Sequence, residues 1–258
     1  MSTINTNPLT YNGYIVALCG LGIYQYASTS GLNVPADPVL QSLIPQVLNY
    51  AELRIQRDLD LLPSQITLTS YSMTTGSNIV SLVPSDFVSV LTVSYNSGTA
   101  TVPVLPVAKE YIQSVFNDTS YTGPPQYFAV YGGDASTGGM TANNLLFGPY
   151  PDQGYTLSIS GTQRLPSLNT FAVAGVADTS STFISAYYPD LLLQASMIFV
   201  SQYQRNFSAT SNSPEMPGAY EAQYQALLKQ ALEEENRKKL RGPAWTAQSP
   251  APIATPGR

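Results

Sequence analysis

The C-terminal part of the sequence contains Tyr220-Glu-Ala-Gln-Tyr-Gln-Ala-Leu-Leu-Lys-Gln-Ala-Leu-Glu-Glu-Glu-Asn-Arg-Lys-Lys-Leu240, followed by Arg241-Gly242-Pro243. Its apolar residues recur at spacings of three and four, which places them on one face of a helix. Glycine and proline then end the helix, because proline lacks an amide donor and clashes with the preceding turn. The stretch predicts a long packed helix and, over residues 241–258, an extended tail. The apolar face consists of Tyr220, Tyr224, Leu227, Leu228, Ala231 and Leu232.

Charge is distributed unevenly along the sequence. The first 228 residues hold five cations and thirteen acids, a net charge of −8, whereas residues 229–258 hold six cations and three acids, a net charge of +3. An acidic body with a basic end indicates an end that docks on a partner. The cations of this end are Lys229, Arg237, Lys238, Lys239, Arg241 and Arg258.

The composition favours a subunit of a permanent assembly. Charged residues make up 10% of the chain, far below the usual ~25%, so little charge keeps copies apart. The 18 tyrosines support this interpretation, because tyrosine is enriched at protein interfaces. They fit the rim of an ordinary β-rich domain equally well.

The sequence lacks the usual equipment of an enzyme. Histidine is absent and Cys19 is the single cysteine. Histidine is the commonest metal ligand and the usual acid or base near neutral pH, so His-based catalytic and metal sites are excluded. No cation or base neighbours Cys19, which predicts a buried structural thiol. We therefore expect no enzymatic activity, no cofactor and no metal.

Other patterns that resemble ligand sites favour simpler interpretations. The glycine-rich residues 132–139 are followed by neither Gly-Lys-Ser/Thr nor a helix start, which predicts a turn. A sequence pI of about 4.6 argues against direct DNA binding. The apolar run Tyr14–Ile23 is too short to cross a membrane and has no preceding basic residues, so we expect neither a membrane span nor a signal peptide. The aspartates in turn-like contexts, where aspartate caps the local backbone, are Asp86, Asp118, Asp134, Asp152 and Asp178.

The order of patterns predicts an α+β fold: a helical bundle built from both chain ends, with an inserted antiparallel β domain and an extended C-terminal tail. Asp37-Pro38 is a strong helix start, and the apolar residues that follow continue to about Leu62. From Ser64 the period changes to two, interrupted by a short helix at 108–116. We expect bundle segments at 1–63 and 183–240, the β-rich domain at 64–182 and a docking tail at 241–258. On the helix that starts at Asp37-Pro38, the candidates for bundle or ring packing are Leu40, Ile44, Val47, Ala51 and Ile55; those of the last helix are Tyr220, Tyr224, Leu227 and Leu228.

A series of short motifs resembles the head-to-tail adaptor (connector) proteins of tailed bacteriophages, in particular the podophage type called tail tubular protein A. The motifs occur in one order and extend, with the helix, sheet, helix layout, over about residues 40–240. They are Tyr50-Ala-Glu-Leu-Arg-Ile-Gln-Arg-Asp-Leu59, Leu82-Val-Pro-Ser-Asp-Phe87, Gly123-Pro-Pro-Gln-Tyr127, Leu146-Phe-Gly-Pro-Tyr-Pro-Asp152 and Tyr188-Pro-Asp-Leu-Leu-Leu193.

The resemblance implies a structural protein of the virion neck and tail, assembled in the host cytoplasm. Twelve copies would form a ring between the portal protein and the next tail component, a nozzle or tail tube protein. DNA would pass through the channel without specific binding, helped by acidic walls that repel its phosphates. The resemblance places the C-terminal segment at the portal. The proposed portal-docking residues are Arg237, Lys238, Lys239, Arg241, Pro243, Trp245 and Arg258.

Two other function classes remain open. A receptor-binding or fibre-attachment subunit would carry a carbohydrate-binding β domain, form trimers and expose aromatic platforms. A glycosidase without histidine would need two carboxylates facing each other in one cleft.

Overall fold

The computed structural model describes residues 8–83, 87–98, 100–132, 143–173, 180–207 and 215–240. The chain forms two compact units. Residues 1–62 and 165–258 belong to the α-rich unit, and residues 63–164 belong to the sheet unit. The helices are α1 (Tyr11–Gly22), α2 (Pro38–Asp58), α3 (Lys109–Val115), α4 (Phe183–Tyr187), α5 (Pro189–Phe207) and α6 (Glu215–Leu240). The strands are β1 (Tyr26–Thr29), β2 (Leu32–Pro35), β3 (Gln65–Met73), β4 (Ile79–Ser81), β5 (Ser89–Asn96), β6 (Thr101–Pro106), β7 (Tyr127–Gly132), β8 (Asn143–Gly148) and β9 (Tyr155–Thr162).

The start of α2 confirms the helix signal in the sequence. The Asp37 side chain accepts the Val39 N–H at 2.9 Å, and Pro38 occupies the first turn. The helix ends at Asp58, four residues earlier than expected. The segment before α2 contains the antiparallel hairpin β1–β2.

The core of the α-rich unit surrounds α5, which contacts α1, α2, α4 and α6. Residues at spacings of three and four on α1 and α2 face this core. The buried carboxylate of Glu52 also lies there and accepts the Leu168 N–H at 2.8 Å. Burial raises the pKa of Glu52, although this hydrogen bond opposes the rise.

Leu165 and Leu168 belong to the same core, so this unit resumes after Arg164, whereas the sequence placed the end of the β-rich domain at residue 182.

The sheet unit contains one seven-stranded sheet in the order β3-β9-β5-β6-β7-β8-β4. Its edge strands β3 and β4 contact each other, so the sheet is nearly closed into a barrel. All pairs are antiparallel except β6 and β7, which run parallel. Helix α3 packs Ile112 against Ala129 and Leu146 outside the main sheet core. That core includes Phe87, Val93, Phe128, Leu145, Phe147, Leu157 and Ile159.

The fold class expected from the sequence was wrong. We expected a helical bundle with an inserted antiparallel β domain, but the structure is a mixed α+β fold dominated by the nearly closed seven-stranded sheet. The sheet is not antiparallel throughout, because α3 lies in the connection from β6 to β7 and returns the chain in the same direction. The segments assigned to the bundle include the hairpin β1–β2, so they are not purely helical. The expected C-terminal tail, residues 241–258, lies outside the described residues.

Candidate functional site at the end of the last helix

The last turns of α6 are fixed by a buried carboxylate. Glu235 is 1% exposed. It accepts hydrogen bonds from Tyr188 Oη at 2.6 Å, Lys238 Nζ at 2.9 Å and the Leu62 N–H at 3.1 Å. One side chain thus joins α6 to the start of α5 and to the segment after α2. We call Tyr188, Glu235 and Lys238 the α6-end cluster.

The α6-end cluster favours the charged forms of its carboxylate and ammonium groups. Burial alone raises the pKa of Glu235, but the hydrogen bonds from Tyr188, Lys238 and Leu62 outweigh it, so this pKa lies below its ordinary value. Desolvation likewise lowers the pKa of Lys238, yet hydrogen bonds to Glu234, Glu235 and Tyr188 hold it above its ordinary value. The cluster therefore contains an ion pair whose members are both hydrogen-bonded.

Two of the cations expected at the portal are held by contacts with other elements of the α-rich unit. Lys238 Nζ also lies 2.9 Å from Glu234 Oε1 and 5.2 Å from the centre of the Tyr188 ring. Lys239 binds Asp60, which follows α2. Arg237 differs, because its side chain is 71% exposed and its ion-pair partner Glu233, 3.4 Å away on α6, is equally exposed. Arg241, Pro243, Trp245 and Arg258 lie outside the described residues.

The middle of α6 is clamped to α2 around Arg54. The guanidinium lies 2.6 Å from Glu221 and 4.3 Å from the centre of the Tyr224 ring. Tyr224 Oη donates to Asp58 at 2.7 Å. Arg54 also pairs with Asp58 on its own helix, where the Nε and Oδ2 atoms are 3.7 Å apart. The shorter contact with Glu221 joins residues that are 167 positions apart.

The residues expected to pack lie in the core of the α-rich unit. The five predicted packing residues of α2 are buried, and so is Tyr224 on α6. The three other predicted residues of α6 are partly buried and pack against the same core. Glu235 was not among the residues that the sequence predicted to pack, although it is buried. A signal existed, because Glu235 continues the stripe of Tyr224 and Ala231 at spacings of seven and four. The α2 residues are Leu40, Ile44, Val47, Ala51 and Ile55; the partly buried ones are Tyr220, Leu227 and Leu228.

The described residues offer little for ligand chemistry. They contain no group of three or more His, Cys, Asp or Glu side chains that could hold a metal. Cys19 is buried, and its burial raises the pKa of the thiol, as expected for a structural cysteine. A cavity of about 120 Å³ between α5 and α6, lined by Leu191, Leu227 and Ala231 among others, is smaller than the roughly 300 Å³ of a small-molecule site. Within the described ranges, no helix combines the length and apolar character of a membrane span.

The outward face of β3, β9 and β5 carries hydroxyl groups instead of aromatic platforms. Alternate residues point away from the buried core, and the three strands contain no charged residue. Hydroxyls pair across the strands, with Thr67 to Ser160 at 2.8 Å and Ser89 to Thr162 at 2.6 Å. On these strands Tyr95 and Tyr155 are buried on the opposite side. This face therefore does not provide the stacking surface expected of a carbohydrate-binding domain.

The sequence model of a known family, the SU10 adaptor protein, matches residues 25–253. The chain belongs to the SU10 adaptor protein family. The match includes the sheet unit and most of the α-rich unit, including all of α6. The resemblance to phage head-to-tail adaptors is thereby confirmed. Among curated proteins, no match to the adaptor was found.

Family membership establishes the general role of the adaptor. It is a structural protein of a bacteriophage and a component of the virion neck. The family is a structural one and not a family of enzymes. Membership also implies association with the portal and with tail components.

Proposed function

We propose that the adaptor forms a ring of twelve copies between the portal and the tail, and that the ring keeps a continuous channel for the DNA during genome ejection. The observation that carries this proposal is the family match, which spans residues 25–253. The low charge of the chain, 10% of residues, is also suited to a subunit that is permanently covered by its neighbours. The DNA would slide past the acidic body without specific binding, since like charges repel.

In this proposal residues 241–258 dock on the portal protein. Arg237 is exposed at the end of α6 and would contribute directly, together with Arg241, Pro243, Trp245 and Arg258. Lys238 and Lys239 would act mainly by holding the end of α6 in place, because their ammonium groups already bind Glu235 and Asp60. The sheet unit would contact the next tail component, a nozzle or tail tube protein. Assembly would take place in the host cytoplasm.

The mass and symmetry of the assembly test the ring. Purified adaptor, alone and mixed with its portal protein, is examined by mass photometry and by class averages of electron micrographs. We expect a closed ring with about twelve-fold symmetry, at least on the portal. A trimer, or a monomer that never joins the portal, contradicts the proposal.

Truncation after Leu240 tests the docking tail separately. We expect the truncated protein to keep its circular dichroism spectrum and thermal unfolding midpoint, because the ion pairs at the end of α6 are retained. Its affinity for the portal is expected to fall roughly tenfold or more, the usual effect of removing central contact residues. The full-length variant with Arg241→Ala and Arg258→Ala is the control. It removes the two cations of the tail and keeps its other residues, so it measures how much of the loss in portal affinity is due to charge. Unchanged portal affinity after truncation would refute the docking role.

A further inference from the structure

Helix α1 exposes an apolar surface that no other described residue covers. Its residues at one set of three- and four-residue spacings are buried against the core of the α-rich unit. On the other side, Val16, Gly20 and Ile23 follow at spacings of four and three, and Leu21 lies beside them in the last turn. All four are exposed, Ile23 to 94%. A helix that is apolar on all sides is normally buried on all sides. We call these four residues the α1 surface.

Ile23 occupies an unfavourable backbone conformation. It caps α1 with φ 59° and ψ 38°, in the left-handed region. Glycine or asparagine is usual at this position, and a β-branched residue there is a genuine outlier. The exposed side chain gains almost nothing from packing in its own chain. This combination points to a contact outside the chain that uses the isoleucine.

The absence of charge restricts what can cover the α1 surface. Asp37 is the first charged side chain of the sequence, so α1 and the hairpin β1–β2 carry none. A charged partner surface would lose its hydration there without gaining an ion pair. The chain itself contains a matching uncharged face, on the first half of α2. The exposed side chains of that face are Val39, Gln41, Ser42, Pro45, Gln46, Asn49 and Tyr50.

We infer that the α1 surface is covered by a second copy of this chain, through the uncharged face of the first half of α2. This inference rests on the proposed ring and names the surfaces that join its neighbouring subunits. A ring needs two different surfaces on each subunit, one for each neighbour. The other charged residues of the α-rich unit within the described ranges lie on the second half of α2, in the segment after it, on α5 and on α6. Along the chain they are distant from both faces. Those on α5 are Asp190 and Arg205.

Leu21→Glu is the first test, with Leu232→Glu as its matched control. The two leucines are 46% and 45% exposed, but Leu232 lies on the charged helix α6. Full-length proteins are compared by mass photometry over a dilution series. We expect Leu21→Glu to raise the dissociation constant between copies roughly tenfold or more, and Leu232→Glu to change it less than twofold. An unchanged assembly of Leu21→Glu, or equal losses in both variants, overturns the inference.

Ile23→Gly separates a contact role from a folding role. Glycine relieves the left-handed backbone, so the unfolding midpoint of the dissociated subunit is expected to rise by a few degrees. Assembly is expected to weaken at the same time, because the exposed side chain is lost. A variant that is more stable and assembles equally well would show that no second copy uses Ile23.

Gln46→Lys tests the face on α2, with Gln223→Lys on the exposed side of α6 as control. We expect the first variant alone to impair assembly; an assembly unaffected by Gln46→Lys overturns α2 as the covering face.

If Leu21→Glu forms normal assemblies but no longer joins the portal, the α1 surface binds the portal instead and the inference fails. A wild-type trimer that Leu21→Glu dissociates would contradict the twelve-fold ring but support the contact. A wild-type ring that survives Leu21→Glu would support the twelve-fold ring but contradict the contact through the α1 surface.

Discussion

Replacing Glu235 with alanine is expected to lower the free energy of unfolding by about 3 kcal/mol. The substitution leaves Tyr188 Oη and the Leu62 N–H without their acceptor, and it removes the buried partner of Lys238. Each buried polar group that loses its partner costs roughly 1–3 kcal/mol. Thermal and urea unfolding followed by circular dichroism measures the difference.

Glu234→Ala is the matched control, because Glu234 is adjacent, half exposed and also paired with Lys238. An exposed ion pair contributes about 0–1 kcal/mol, so this variant should stay close to wild type. The effect of Glu235→Ala should also depend on pH. The pKa of Glu235 is lowered in the folded protein, so its stabilisation is complete above the ordinary pKa of 4.5 and is lost as the pH falls through the folded value. Equal losses in the two variants at pH 7 would contradict a structural role for the cluster.

The sequence could predict that α6 exists, but it could not predict which contacts hold the C-terminal end of this helix in place. The spacing of Tyr220, Tyr224 and Leu227 indicates an amphipathic helix without knowledge of its neighbours. Two of the three partners of Glu235, Tyr188 and Leu62, lie 47 and 173 positions away along the chain. In the run of charges from Glu233 to Lys239, the helical spacing from Tyr224 and Ala231 marks Glu235 as the carboxylate on the buried side, but only the tertiary structure shows which groups it binds. The docking residues beyond Leu240 remain a prediction.

The strands could be predicted better than their pairing. The period of two from Ser64 onward indicated strands, and the structure contains β3 and β5 in this region. The parallel pair β6–β7 was missed, although the expected helix at 108–116 was a signal for it. A parallel pair needs a crossover connection of about a dozen residues or more, usually with a helix. Closure of the sheet depends on contacts between strands distant in sequence, which the local pattern does not reveal.

The close approach at Gly161 could not be predicted from the sequence either, because it depends on how β9 pairs with its two neighbouring strands. Strand β9 continues to Thr162 and pairs Gly161 with Ile66 on β3 and with Val90 on β5. A Cβ atom at Gly161 would lie 2.3 Å from the Ser89 carbonyl oxygen and 2.6 Å from Phe87 Cδ1. Cβ atoms do not approach other atoms this closely, so glycine is required here for steric reasons.

Gly161→Ala is therefore expected to lower the free energy of unfolding by about 3 kcal/mol, at the upper end of the usual cost of overpacking. The Phe87 ring can rotate, but the carbonyl oxygen of Ser89 moves only with β5. The corresponding loss in the unfolding midpoint is roughly 5–10 °C for a protein of this size. Gly154→Ala is the matched control, because its Cβ would lie at an ordinary 3.6 Å from the Met73 carbonyl oxygen.

A second variant identifies which neighbour causes the loss at Gly161. Adding Phe87→Ala to Gly161→Ala removes the aromatic contact but leaves the Ser89 carbonyl oxygen in place. We expect the double variant to be no more stable than Gly161→Ala, since the backbone clash persists and a buried ring has been lost. Recovery of stability would show that Phe87 was the obstacle. A Gly161→Ala variant as stable as Gly154→Ala would instead show that β5 yields at its irregularity between Val90 and Thr92, so that the central strands of the sheet tolerate displacement.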